Sequence, residues 1–372
     1  MKDKWSILHT EASEGWGGQE IRIFTEAQGM VRRGHRVMIA APAYATLYKR
    51  SRDAGIPVAD VDYNRKSFIK SIRSVLKLIE AHGFHVICTH SSRDSWAAGI
   101  AGRLSRRRPL VVRTRHLNIP VGKGFASRSI YRRIPHMIFT TGESIRRLIT
   151  EGLRFPAERT LSIPTGVDLK RFDPTRPFPD IRHEYGIPPE AFVVGTVAVL
   201  RSWKGHAFLL EAAERICASR SDIRFLLVGD GPLREKYTRW VADHGLEERV
   251  ILTGHQERVP EILNSIDIFA LPSYAHEGVP QAVIQAMAMK KAIITCDVGA
   301  IGEVIKDGET GRLVPVKDPG ALAETILQLG RDKAQREQLA AAAAALARDR
   351  LGMETMLDRV EEGYRAGLSL GR

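Results

Sequence analysis

The sequence predicts an α/β protein of two doubly wound, parallel-sheet domains in tandem, and three observations carry that prediction. At 372 residues the chain exceeds the roughly 250 to 300 residues at which a single core stops growing. Short apolar runs alternate with amphipathic stretches along most of it, which is the pattern of βαβ units. The alternation pauses once, in a proline-rich stretch at 174–189, and then starts again.

Taken in order, WSILH reads as a strand followed by a helix near 20–33, and HRVMIAA as a second strand. A helix over 68–82 precedes the strand HVICTH, a helix over 96–104 follows it, and LVVRT and MIFTT complete the first half. The second half runs AFVVGTVAVL, a helix over 206–219, IRFLLVGDG, a helix over 233–245, VILTG, IDIFALPS, a helix opened by EGVPQAVIQA, AIITCDV and GRLVPV. The Ala-rich segment 338–350 and the segment 354–368 read as terminal helices with a scaffold role. The expected division is a Rossmann-like domain over 1–173, a linker over 174–190, a second such domain over 191–353, and a helix over 354–372 that packs back on the first domain. Ligands of doubly wound sheets sit beyond the carboxyl ends of the strands, so the two sets of ends are expected to face one another across a cleft.

Composition narrows the class. Apolar content of 44% with 27% charged residues is ordinary for a globular protein. The cysteines Cys88, Cys217 and Cys296 are too few and too scattered for a disulfide framework or a zinc site, and a reducing cytoplasm suits them. No apolar run approaches the ~18 residues of a membrane span, and the N-terminal apolar run is too short for a signal-peptide core. The net charge of +13 belongs to the first half, where residues 1–176 hold 32 Lys and Arg against 15 Asp and Glu, while 177–372 hold 24 against 28. One basic half implies an anionic partner or an anionic membrane surface met by that half alone. A nucleic-acid partner would also suit a basic chain, but aromatics make up only 7% and no recognition motif is present, so none is expected.

Two glycine-rich loops invite a dinucleotide reading, and both fail it. GWGGQE has Glu20 where the third glycine should stand, and VGDGPLRE has Arg234 there. The first loop still offers flexible backbone N–H groups at Gly17 and Gly18 at a helix start, a setting suited to phosphate oxygens. In EGVPQAVIQA, Pro280 suits the first turn of a helix, so the following N–H groups are unpaired and favour an anion. Asp60 and Asp62 form an Asp-x-Asp pair of the kind that can hold a metal. They fall in the first half, away from the loops just described, and are assigned to a loop with no metal expected.

Seven marks recur in a set order: the GG loop, the His of RTRH, PTGVD-x3-F, the KG loop at Lys204, VGDGP, the EGVP helix and the DGETG turn. In this order and spacing the chain closely resembles the retaining family 4 glycosyltransferases of the GT-B fold, over most of its length. The resemblance implies a nucleoside diphosphate sugar donor of the UDP, GDP or ADP type, no cofactor, and transfer to an acceptor hydroxyl with retained configuration. It casts Glu277 as the residue that binds donor-sugar hydroxyls, Lys204 as the diphosphate clamp, and His116 as a positioning or charge-stabilising group near the reacting carbon. Gly229, Gly278, Val279, Pro280 and Arg201 fall among the donor-binding positions. Two positions depart from the pattern. The family's ribose-binding Glu is Gln285 here, about 7.5 Å along the helix from Pro280, and the Arg expected five residues before the lysine is Val199.

For the acceptor, Arg113 and Arg115 flank His116 by alternation. A cleft-facing guanidinium would hold a phosphate or carboxylate; otherwise both are surface charges. Lys123 lies in a basic amphipathic stretch, 117–136, that either rests on an anionic membrane or glycolipid or packs as an ordinary helix. The resulting expectation is a metal-independent hexosyltransferase of lipopolysaccharide or other envelope-glycan synthesis, cytoplasmic or peripheral at the inner membrane face. A non-catalytic nucleotide-sugar binder is the alternative raised by Val199 and Gln285.

Overall fold

The computed structural model describes residues 4–122 and 124–370. It divides into two compact units, 1–166 with 353–372, and 167–352. Chain crossings therefore fall at 166/167 and 352/353, and the proline-rich stretch is not a free linker. Its apolar residues Ile181 and Ile187, with Phe172 just before it, are buried in the core of the second unit, and the N–H of Ile181 donates to Ser265 Oγ at 3.1 Å. Prolines removed backbone donors from this stretch without removing its apolar anchors, so it packs irregularly instead of swinging free.

The first unit holds a seven-stranded parallel sheet of β1 (Ser6–Thr10), β2 (Arg36–Ala41), β3 (Val58–Asp60), β4 (Val86–Thr89), β5 (Leu110–Arg115), β6 (Met137–Thr140) and β7 (Thr160–Ser162), in the order β3-β2-β1-β4-β5-β6-β7. Successive side chains alternate between two helix layers. Ile7, Ile39, Val86, Cys88 and Val112 point to one layer, where Met356, Leu357, Val360 and Tyr364 of the last helix, Met353–Leu370, complete the core. Leu8, Ala40 and Ile87 point to the other, against Val75, Ile79, Ala97 and Ala101. Both faces are covered, which is why these strands read as continuous apolar runs.

The second unit holds a six-stranded parallel sheet of β8 (Phe192–Val197), β9 (Ile223–Val228), β10 (Val250–Gly254), β11 (Ile268–Leu271), β12 (Ala292–Thr295) and β13 (Arg312–Leu313), ordered β10-β9-β8-β11-β12-β13. Val193, Leu226, Phe269 and Ile293 face one helix layer and Val194, Phe225, Ile268 and Ile294 the other. The Ala-rich helix, Lys333–Arg350, serves both, with Ala340 in one core and Ala343 and Ala347 in the second. In each sheet the chain winds outward from the middle in two directions, so a switch point lies between β1 and β4 and another between β8 and β11. At such a point the loops beyond the strand ends diverge and leave room for a ligand.

His206 opens the helix His206–Cys217 beside the second switch point and is buried, its ring 5.8 Å from that of Tyr237. Burial, with a smaller effect of the Lys204 charge, lowers its pKa to about 4. The unfolded chain protonates this residue near pH 6.5 and the folded unit does not, so its contribution to stability is present above pH 6.5 and is lost as pH falls toward 4. In urea titrations at pH 7.5 and pH 5.0, His206→Leu is expected to shrink the pH-dependent loss of stability by roughly 2 kcal/mol.

Candidate functional site

The second unit brings two of the expected residues together at its switch point. Lys204 ends the short turn Ser202–Lys204 that follows β8, and Glu277 lies in the loop between β11 and the helix Gln281–Ala288. Lys204 Nζ donates to Glu277 Oε1 at 2.7 Å and to Oε2 at 3.0 Å. Their side chains are 18% and 5% exposed, so the pair is screened far less than a surface ion pair.

Backbone geometry sets both side chains. Gly205, at φ +77°, lies so close to β11's end that a Cβ would stand 1.9 Å from the Pro272 carbonyl oxygen. Gly299, at φ +64°, passes the backbone of Glu277 with the same 1.9 Å limit to its carbonyl oxygen. Only glycine tolerates that combination of left-handed backbone and close approach. The N–H of Tyr274 donates to the Trp203 carbonyl at 2.9 Å, which ties the two loops together. His276, at φ +64°, turns its ring edge-on to Trp203.

Behind the pair, Pro280 occupies the N-cap and the helix begins at Gln281, one residue later than the sequence implied. The Pro280 carbonyl accepts from Val283 and Ile284. Among the described residues no partner meets the N–H groups of Gly278, Val279, Gln281 or Ala282. A lysine and a row of unpaired donors at the start of a helix form an anion seat. Gln281 and Gln285 are half-buried on this helix. Arg201 does not join the seat: it is exposed, with its guanidinium 5.2 Å from the Trp203 ring centroid. The N–H of Gly229 is also spoken for, donating to the Gly254 carbonyl at 2.9 Å.

In the first unit the glycine loop differs from expectation. The N–H of Gly17 donates to Glu20 Oε2 at 2.8 Å in a capping box and is not free for a phosphate, while Gly18 opens the helix Gly18–Arg32 with open space around it. Glu11, just past β1, accepts from the N–H groups of Ala12 and Ser13 and from the Gln19 amide. Burial first, then the neighbouring Asp94 and Glu20, push its carboxyl up to about 8. With these acids at its base, the loop is a poor phosphate cradle.

His116 follows β5 and is half-buried, and its Nε2 lies 3.1 Å from His90 Nδ1. Arg113 and Arg115 both converge on Tyr131. Arg113 donates to its hydroxyl at 3.1 Å and stacks 4.1 Å from the ring centroid; Arg115 donates to the same hydroxyl and to the Ile119 carbonyl. Arg113 is 4% exposed, yet its Nε and Nη1 have no hydrogen-bond partner. It is therefore a buried cation, not a surface charge. Lys123 lies outside the described residues. Asp60 accepts from Ala43 N–H and Asp62 from Asn64 N–H and Ser67, so both are loop-forming side chains. Sequence reasoning passed over His9, His90, Asp94 and Tyr131. His9 lies near the end of β1, His90 follows β4, Asp94 lies in the next helix and Tyr131 in the helix Phe125–Arg132, and only the fold joins His9 and Asp94 to His90, His90 to His116, and Tyr131 to Arg113 and Arg115.

A cation, a carboxylate and free helix N–H groups at the switch point of one of two doubly wound units define a glycosyltransferase of the GT-B class. Two family models match without overlap, Glycosyltransferase Family 4 over residues 16–171 and Glycosyl transferases group 1 over residues 177–346. The chain belongs to the family 4, group 1 glycosyltransferases. It is 28% identical over 285 residues to the UDP-Gal:alpha-D-GlcNAc-diphosphoundecaprenol alpha-1,3-galactosyltransferase of Escherichia coli, covering 71% of each chain. To the phosphatidyl-myo-inositol mannosyltransferase of Mycobacterium leprae it is 27% identical over 352 residues, covering 89% of this chain and 88% of the relative. Among solved structures, a glycosyltransferase from Rickettsia africae ESF-5 superposes with a TM-score of 0.87 at 21% identity, over 98% of this chain and 99% of that one. The Anabaena protein HepE in complex with UDP and glucose superposes with a TM-score of 0.85 at 20% identity, over 97% and 100%.

Two substitutions test the geometry. Gly299→Ala drives a methyl group into the Glu277 backbone and is expected to weaken binding of whichever of UDP, GDP or ADP the protein takes, read by calorimetry, by at least about tenfold, since ligand-positioning errors of ~1 Å carry costs of that order or more. Gln285→Glu adds a charged acceptor to the helix and is expected to tighten binding of the same nucleoside diphosphate by about tenfold, a charge-assisted bond adding roughly 1 kcal/mol or more over a neutral one.

Proposed function

We propose that the protein transfers a hexose from a nucleoside diphosphate sugar to a hydroxyl of an anionic glycan or glycolipid, with retained configuration and without a metal or other cofactor, in the synthesis of lipopolysaccharide or another envelope glycan. The observation that carries the reading is the Lys204–Glu277 pair set against four unpaired N–H groups. The donor's diphosphate takes the lysine and the helix N–H groups, and the sugar hydroxyls take the released carboxylate. As the bond from the sugar to phosphate breaks, negative charge grows on the diphosphate, and these fixed donors stabilise it where it forms. The leaving phosphate oxygen accepts the proton of the acceptor hydroxyl, so no protein nucleophile is required.

For the acceptor, the excess positive charge of the first half favours a phosphate-bearing or carboxylate-bearing molecule. The named relatives act on an undecaprenol diphosphate sugar and on phosphatidyl-myo-inositol, both anionic lipids. An acceptor of that kind would bring the protein to the cytoplasmic face of a membrane; of the stretch 117–136, Ile130, Tyr131 and Ile134 are buried in the unit's own core, so exposed Arg132 and Arg133 are what it would offer an anionic lipid. No helix among the described residues is long and apolar enough to cross a membrane.

A thermal-shift screen of UDP, GDP and ADP sugars, followed by a transfer assay on envelope lipid extracts, checks the reading. Stabilisation by a sugar nucleotide and turnover that survives EDTA are expected, and stabilisation without turnover would mark a binder only. Glu277→Ala is expected to lower kcat by about a hundredfold or more, the scale of losing a group that acts in the transition state; unchanged transfer would remove Glu277 from the site.

A further inference from the structure

Three histidines form a hydrogen-bonded chain at the first switch point. His9 is the fourth residue of β1, His90 follows β4 and His116 follows β5. His9 Nδ1 lies 3.2 Å from His90 Nε2, and His90 Nδ1 lies 3.1 Å from His116 Nε2. The backbone at each outer step is pinned: the N–H of His90 donates to Asp94 at 2.9 Å, and Thr141 Oγ1 donates to the His116 carbonyl at 3.1 Å. Among the described residues no partner meets His116 Nδ1, and the half-buried ring leaves that edge open.

Burial first, and at His90 and His116 the surrounding charges second, disfavour protonation of the three rings. Burial lowers the pKa of each. Arg22 acts on all three, Arg113 on His90 and Arg115 on His116, and each opposes protonation. Glu26, on the helix that carries Arg22, favours protonation of His9 but is outweighed by desolvation.

A neutral imidazole has one N–H and one lone pair, so two linked ring-to-ring bonds admit two settings. In the first, His9 Nδ1–H donates to His90 Nε2 and His90 Nδ1–H donates to His116 Nε2. His9 Nε2 is then a bare lone pair, and the His116 proton sits on Nδ1. In the second, every donor reverses and His9 carries its proton on Nε2. That atom is buried and has no partner. An orphaned buried N–H is rarer than an orphaned acceptor and costs about 1–3 kcal/mol, so the first setting wins.

We propose that His9 and His90 are positioning residues whose hydrogen-bond chain fixes His116 with its proton on Nδ1, so that His116 meets the substrate as a neutral hydrogen-bond donor and not as a base. The inference rests on the reading of His116 as substrate-facing in the transfer proposed above. In that role it supplies a fixed N–H to an oxygen of the substrate.

Two arms test it. The first is long-range 1H–15N NMR on histidine-labelled full-length protein, with the His116 ring assigned from the spectrum of His116→Gln. The proposal expects Nδ1 protonated and Nε2 bare, unchanged between pH 6 and pH 8; the opposite tautomer, or protonation of the ring in that range, overturns it. The second measures hydrolysis of UDP-glucose and UDP-galactose by variants at His90. His90→Asn sets an amide N–H where Nδ1 stands and is expected to keep kcat within about threefold, whereas His90→Gln, whose amide falls where Nε2 stands, lowers kcat about tenfold with KM within about twofold. Equal losses in the two variants would reduce His90 to packing and overturn the proposal. Should the wild-type protein turn over neither compound nor any other sugar nucleotide, the transfer reading fails, and the NMR arm still decides the tautomer.

Discussion

Everything in the second unit follows from one constraint of parallel sheets: all strands end on the same edge, and where winding reverses, two neighbouring strands send their loops to opposite faces. Between β8 and β11 this opens a gap between the loops at the strand ends. Lys204 reaches it from one loop and Glu277 from the other, so the ion pair spans the gap. The pair has to be held apart from water and from both cores, which is why the approach of Gly205 to Pro272 and of Gly299 to Glu277 is so tight. The first unit meets the same constraint between β1 and β4 and answers it differently, with buried acids, histidines and the buried guanidiniums of Arg22 and Arg113 in place of a lysine–carboxylate pair.

The fold was largely legible in the sequence because burial on both faces forces apolar runs, and runs such as MIFTT or IRFLLV have no other plausible home. Short edge elements were not. β3 is three residues long and half-exposed, and β7 is equally short, so neither carries a long apolar run. The helix Thr46–Asp53 buries only Leu47 and Ser51, which leaves almost no periodic pattern to read. The proline-rich stretch misled for a related reason: composition reports what the backbone cannot do, but Ile181 and Ile187 decide where it packs.

The site was legible in part. Lys204 and Glu277 lie 73 positions apart and were paired by motif order; the sheet shows why they meet. Arg201 has the right charge and the right loop, yet its guanidinium finds the Trp203 ring, a contact no spacing rule reports. The acid in the GG loop hides in plain view: Glu20 is the residue that spoils the dinucleotide fingerprint, and it is also the one that takes the Gly17 N–H. His9 and His90 are seen only when β1, β4 and β5 lie side by side, because their partnership is one of register and not of sequence.

The last helix of the chain supplies Leu357 and Tyr364 to a core whose other residues were made at the start. During synthesis, then, the first lobe leaves the ribosome with an open apolar flank and stays incomplete until the helix Met353–Leu370 emerges. The lobe in between has all of its own parts earlier. Order of manufacture and order of completion are thus opposite, and damage to that late helix would injure the amino-terminal lobe first.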